Sequence, residues 1–165
     1  MMKNLFQILC GLFLVVSYSS CMHSEEDKVD VLIIGGGASG VTSGIQSARM
    51  GANTLILEES TWLGGMLTSA GVSAVDGNYR LPAGLWGEFK NRLSDYYGGL
   101  DSLKTGWVSN VLFEPSVGNK ILHEMVAAEN NLKVWKQACL EEVKRTGDEW
   151  VAKVKVEGQG VKTVR

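Results

Sequence analysis

Several residue types are scarce in this chain of 165 residues, and each scarcity excludes something. Proline occurs only twice, so neither a collagen triple helix nor a stiff proline-rich linker can form. Cysteine occurs three times, at positions 10, 21 and 139, with no Cys-x-x-Cys pair to hold zinc or an iron–sulfur cluster. Histidine occurs twice, and His123-Glu124 lacks the second histidine of a zincin, because position 127 is Ala. Charge of one sign is lacking too. Sixteen basic residues against eighteen acidic ones leave a net charge of −2, which gives no basic face for nucleic acid. A hydrophobic share of 45% excludes a disordered chain. The longest mainly apolar run, Leu5 to Val16, is also too short to cross a membrane of ~30 Å at ~1.5 Å per residue.

That run follows Lys3 and precedes small polar residues, the pattern of a secretory signal peptide over residues 1–20. Ser19-Ser20-Cys21 resembles a bacterial lipoprotein box, departing from it at Tyr18, where an aliphatic residue is usual. The resemblance implies lipidation of Cys21, export to the periplasm or cell envelope, and membrane attachment through a lipid anchor. Cleavage after Ser19 without lipidation is the alternative. Residues 21–28, with Glu25, Glu26 and Asp27, are expected to form an acidic tether, and Cys139 is expected to be a buried, inert side chain.

Glycine, in contrast, is abundant: 20 residues, nine of them between Gly35 and Gly71. Val29 to Ile34 is a short β-branched run, predicted as a strand buried on both faces. Gly35, Gly37 and Gly40 then satisfy G-x-G-x-x-G, and a helix is expected from Ala38 to Met50, ended by Gly51. Thr54 to Leu57 reads as a second strand, with Glu58 at its end and 18 residues beyond Gly40. This order is a dinucleotide fingerprint. Gly35 permits the tight turn, Gly37 lets the backbone approach a pyrophosphate, and Gly40 and Gly44 let the helix pack against the strands. The helix start, Ala38-Ser39-Gly40, offers N–H groups and a partial positive charge to phosphates. Glu58 is placed to bind a ribose and would repel the 2′-phosphate of NADP.

Beyond Glu58, Gly64-Gly65 and Met66 to Ser69 complete a pattern that resembles the FAD-dependent oxidoreductases of the glutathione-reductase-like superfamily. The resemblance implies that Gly64 and Gly65 pass the pyrophosphate and flavin side of FAD, with Met66 near the isoalloxazine. AGLWGEF at 83–89, TGWVSNVLFEP at 105–115 and the apolar stretch at 132–140 further resemble an exported bacterial family of FAD-dependent oxidoreductases, grouped with the flavin subunit of heterodisulfide reductase. The likeness covers residues 29–165. It implies FAD as cofactor and a small-molecule substrate. Two departures stand out: Glu59 replaces the Lys or Arg often found after the ribose acid, and no cysteine set exists for the iron–sulfur cluster of some relatives.

The expected fold class is α/β: a Rossmann-like FAD-binding βαβ unit with a parallel sheet and an antiparallel β-meander, incomplete at its C-terminal end. A helical insertion spans about 70–114, with Leu85, Phe89, Leu93 and Tyr96 on one helix face. Pro115 opens a second helix with Val117, Ile121, Met125 and Ala128 inward, leaving His123 in solvent. Leu132 to Ala138 is expected as the third parallel strand, and Trp135 and Trp150 as core residues. The meander follows from Leu140, turning at Gly147-Asp148 and at Gly158 to Gly160. No strand ending in Ala-Thr-Gly and no late Gly-Asp motif follow, so the expectation is the front part of a longer enzyme, binding FAD weakly and inactive alone. Substrate-side candidates are Asp76, Tyr79, Arg80, Glu88, Trp107, Asn110 and Glu114. A non-catalytic nucleotide-binding or interaction lipoprotein, descended from such an enzyme, is the alternative reading.

Overall fold

The computed structural model describes residues 26–77 and 79–165, so the signal-peptide and Cys21 readings lie outside the described residues. Strand β1 (Val31–Ile34), helix α1 (Ala38–Arg49) and strand β2 (Thr54–Glu58) follow one another directly. Gly51, at φ +97°, ends the connection after α1, donating its N–H to Ala48. Helix α2 (Gly84–Tyr97) stops at Gly98, which takes a left-handed conformation that a side chain would disfavour. Helix α3 (Pro115–Ala127) begins with its proline in the first turn, where no N–H is needed. Strands β3 (Leu132–Lys136), β4 (Ala138–Thr146), β5 (Glu149–Val156) and β6 (Gly160–Val164) complete the chain.

The first three strands form a parallel sheet in the order β1-β2-β3, and the last three an antiparallel meander. β2 is the central strand: Thr54 pairs with Val31 on one side and Leu132 on the other. Its alternating side chains serve two cores. Ile56 packs with Val41 and Ile45 of α1 and with Ile121 and Met125 of α3. Leu55 and Leu57 point the other way, against Ala138, Ala152, Val154, Val156 and Val164 of the meander. The molecule therefore has three layers, helices, parallel sheet and meander, with β2 in the middle.

Several expectations are corrected. β1 is an edge strand, not one buried on both faces, and Ile34 is 58% exposed. β3 ends at Lys136, because Gln137 turns the chain at φ +52° and Ala138 already belongs to the meander. Trp150 is exposed at the start of β5, while Trp135 is half-buried. Tyr96 faces solvent; its neighbour Tyr97 turns inward instead, and its hydroxyl accepts the Glu114 N–H at 3.0 Å. Ala128 is exposed at the end of α3. Cys139 is exposed, because strand alternation gives the inward position to Ala138. His123 is half-buried rather than solvated. Residues 26–28, expected as the end of the tether, run beside β6: Asp27 exchanges backbone bonds with Thr163 and Arg165, and Glu26 pairs with Arg165 at 2.8 Å.

Candidate cofactor site

The site is built at the carboxyl ends of β1 and β2, where the turn into α1 exposes backbone. Gly35 sits at φ +99°, and its N–H donates to Leu57 at 2.8 Å. A Cβ on Gly40 would lie 1.9 Å from the Gly35 carbonyl oxygen, so α1 can start this close to β1 only with glycine there. A Cβ on Gly44 would meet Ile56 at 2.6 Å, which fixes the depth at which the helix lies on the sheet. Gly37 is different. It caps α1 with extended backbone, and a Cβ there would meet nothing within 4 Å.

The start of α1 is open in chemical terms as well. No side chain caps it and no acid occupies its first turn. The first helical bond runs from Val41 to the Gly37 carbonyl, so the Ser39 and Gly40 N–H groups have no helical partner. These donors and the positive end of the helix dipole make an uncompensated anion site.

Glu58 is held on the opposite side of the turn. Its Oε2 accepts the Gly36 N–H at 2.7 Å and its Oε1 accepts the Ser60 N–H at 2.8 Å. Both oxygens keep free lone pairs, the acceptors that a pair of ribose hydroxyls requires. A Cβ on Gly36 would stand 2.9 Å from Oε2, so this glycine is needed for the carboxylate to reach the turn.

The Gly64–Gly65 loop forms the second wall. Gly64 donates its N–H to the Gly36 carbonyl at 2.8 Å, and Gly37 and Gly64 form a parallel bridge. A Cβ on Gly65 would lie 3.1 Å from the Gly37 Cα, so the two backbones face each other at close range. Met66 follows in a single 3₁₀ turn and is 68% exposed. Gly35, Gly37, Ala38, Ser39 and Gly40 of the turn, Glu58, and Gly64, Gly65 and Met66 of the loop thus lie together at this end of the sheet. A dinucleotide such as FAD suits this arrangement: open space beside Gly37, an uncapped helix start and a carboxylate with free lone pairs match what a pyrophosphate and a ribose require.

The substrate-side candidates are less united. Arg80 and Tyr79 belong together, with Arg80 Nε donating to the Tyr79 hydroxyl at 3.1 Å and its guanidinium 5.4 Å from the ring. Asp76, Trp107, Asn110 and Glu114 are exposed, and Trp107 is 96% so. Glu88 is committed elsewhere. It pairs with Arg49 at 3.0 Å and Arg92 at 3.3 Å, and the Arg49 hydrogen bond holds its carboxyl below the usual carboxylate range.

Sequence reasoning missed three side chains here. Lys90 is buried and donates to the Tyr79 and Leu81 carbonyls, both at 2.8 Å, fixing the turn that carries Arg80. Thr68, also buried, donates to the Leu63 carbonyl at 2.5 Å. Asn119 accepts the Leu63 N–H at 2.9 Å. Lys90 and Asn119 belong to no motif, and Thr68 lies in the Met66 to Ser69 stretch without a role of its own being legible there. A lysine at helical spacing between Phe89 and Leu93 was the one legible oddity.

Comparison with known proteins agrees with this geometry. The family model described as FAD dependent oxidoreductase matches residues 30–165. Among solved structures, an anhydrotetracycline hydroxylase of Streptomyces rimosus aligns with a TM-score of 0.57 and 13% identity, over 83% of this chain and 30% of its own. A p-nitrophenol 4-monooxygenase of Pseudomonas putida aligns with a TM-score of 0.52 and 14% identity, over 84% of this chain and 39% of its own. A geranylgeranyl bacteriochlorophyll reductase-like protein of Thermoplasma acidophilum gives 0.51 and 19%, over 85% and 38%. At these identities the likeness is one of fold, and the chain spans well under half the length of each of these structures. No curated protein matches.

Proposed function

The chain belongs to the FAD dependent oxidoreductase family, and on that premise we propose that residues 30–65 hold the adenosine and pyrophosphate of FAD for the redox turnover of a small molecule. The observation that carries this reading is the open space beside Gly37, next to the uncapped start of α1 and the Gly64–Gly65 loop. The turn and the start of α1, through Ala38, Ser39 and Gly40, bind the pyrophosphate, and Glu58 binds the ribose hydroxyls. Gly64, Gly65 and Met66 border the flavin side. Once bound, the isoalloxazine supplies the redox chemistry, and protein groups position the substrate and handle its protons. Among the described residues Arg80 is the best-placed clamp for an anionic substrate, since guanidinium binds carboxylates bidentately and Lys90 fixes the turn beneath it.

The finer reading places the protein with the glutathione-reductase-like flavoproteins and with the exported group allied to the heterodisulfide reductase flavin subunit. The Gly64-Gly65 doublet after the ribose acid supports the first, and the motifs at 83–89 and 105–115 the second. Export with lipidation at Cys21 rests on Ser19-Ser20-Cys21. Mass spectrometry of the mature N-terminus tests it; an unmodified residue other than Cys21 would rule it out.

FAD titration of the full chain, followed by flavin fluorescence, tests the cofactor reading against the variant Gly37→Val. A Cβ at position 37 meets no protein atom within 4 Å, so the variant is expected to keep its fold while its methyl groups occupy the open space beside the turn. Saturable binding is expected for the unaltered chain, weakened at least tenfold in the variant. Equal affinities would sink the assignment.

A further inference from the structure

The Gly64–Gly65 loop belongs to no α-helix and to neither sheet, Gly65 opening a single 3₁₀ turn, yet it stands at close range to Gly37. Besides the Gly64 N–H bond to the Gly36 carbonyl, its anchoring is concentrated one residue earlier. Leu63 is fully buried, and both of its backbone polar groups are held by side chains. Its carbonyl accepts from Thr68, five residues on; its N–H donates to Asn119 Oδ1 at 2.9 Å, 56 residues on. Asn119 lies in the first half of α3, next to Gly118. A Cβ on Gly118 would collide with Phe113 at 2.6 Å and crowd Thr68 at 3.3 Å, so this glycine lets α3 lie hard against the loop. A Cβ on Gly64 would collide with Leu122 of the same helix at 2.6 Å. The loop is therefore pressed onto α3 by packing and fastened to it by one side-chain hydrogen bond.

We propose that Asn119 is a positioning residue for the cofactor groove: by holding the Leu63 N–H, it sets the Gly64–Gly65 wall against Gly37 before any ligand arrives. This inference rests on the FAD reading above. Without the Asn119 acceptor the Leu63 N–H is buried and unsatisfied. The loop then relieves itself by moving outward, and the groove loses its second wall. Binding must afterwards reorder it, which lowers affinity for a ligand that spans both walls. A ligand that touches only the Glu58 side is indifferent to the loss.

The test uses the full chain with Asn119→Leu, close in size but without an acceptor, and Asn119→Asp, which keeps an oxygen at the same place. Amide hydrogen exchange of the ligand-free proteins reads the anchoring directly. Asn119→Leu should speed Leu63 exchange at least tenfold while Val41 and Ile56 change less than twofold; Asn119→Asp should stay within threefold of the unaltered chain. FAD affinity should fall about tenfold in Asn119→Leu, with AMP affinity within twofold. Unchanged Leu63 exchange, or faster exchange with unchanged FAD affinity, overturns the proposal, and so does an equal loss of FAD and AMP affinity. If Asn119→Leu disturbs the core amides, Asn119→Ala gives the same comparison without a branched side chain. Absence of FAD binding by the unaltered chain overturns the cofactor reading instead, and the Leu63 exchange ratio then decides alone whether Asn119 holds the loop.

Discussion

The glycines of the fingerprint do different work, and substitution separates them. Gly40→Ala would bring a methyl group to 1.9 Å from the Gly35 carbonyl, a backbone atom that cannot swing aside. Displacing the start of α1 should cost about 1–3 kcal/mol, as overpacking does elsewhere, and chemical denaturation would read it as a lower midpoint. Gly37→Val should lower that midpoint by less, because its Cβ meets no protein atom within 4 Å and only the weaker helix cap is lost. Sequence spacing alone gives both glycines the same standing; the difference lies in whether a protein atom or a ligand fills the space beside them. His123 makes a second case at this scale. Burial, reinforced by Lys136, pushes its pKa below the ordinary value. The unfolded chain then binds a proton more readily than the folded one, so stability falls as the pH drops below about 6.5. His123→Gln should flatten the dependence of the denaturation midpoint between pH 7 and 5, while leaving the midpoint at pH 8 nearly unchanged.

At the scale of elements the hydrophobic pattern was a good guide where neighbours are close in sequence. The βαβ unit, the proline-started helix and the meander all lie within two residues or so of where periodicity and glycine put them. Failures fall where a tertiary partner decides. Nothing local distinguishes an edge strand from a central one, so β1 looked buried. Tyr96 and Tyr97 are equivalent on composition, and tertiary contacts, packing against the core and the Glu114 N–H, select the second. The cofactor turn was legible because glycine writes backbone geometry directly into sequence; Asn119, Thr68 and Lys90 were not, because their partners are backbone atoms of any residue type. The stop of α2 gives a prediction here. Gly98, at φ +78°, has open space around its Cβ position, so Gly98→Ala meets backbone strain alone. A loss of about 1 kcal/mol is expected, read by thermal unfolding, with the helix content of the folded protein unaltered.

On the scale of the whole molecule, three helices are joined by a single arginine. Arg49, at the end of α1, pairs with Glu88 of α2 at 3.0 Å and with Glu129, just beyond α3, at 2.7 Å. The arrangement draws the Glu88 carboxyl below its ordinary value. A depressed carboxylate stabilises the fold above its unfolded pKa and loses that contribution as pH falls through the folded value. The network should thus act at neutral pH and fade below about pH 4.5. Arg49→Met, which keeps the length of the side chain, should lower stability by up to about 1 kcal/mol at pH 7 and much less at pH 3, as measured by denaturant titration at the two pH values.

Gln137 joins the parallel sheet to the meander without a loop, in a left-handed conformation. Its N–H donates to the carbonyl of Ser60, two residues past Glu58, and its carbonyl accepts the N–H of Glu157 before the last turn. Both bonds are made by main chain at either end, so neither depends on the side chain at 60 or 157. Position 137 is not free in this way: Gly, Asn and Asp relax its backbone, and a β-branched residue cannot occupy it. Over evolutionary time this corner should therefore record a narrow alphabet at position 137, a constraint on ancestry that comes from the path of the chain and owes nothing to the ligand.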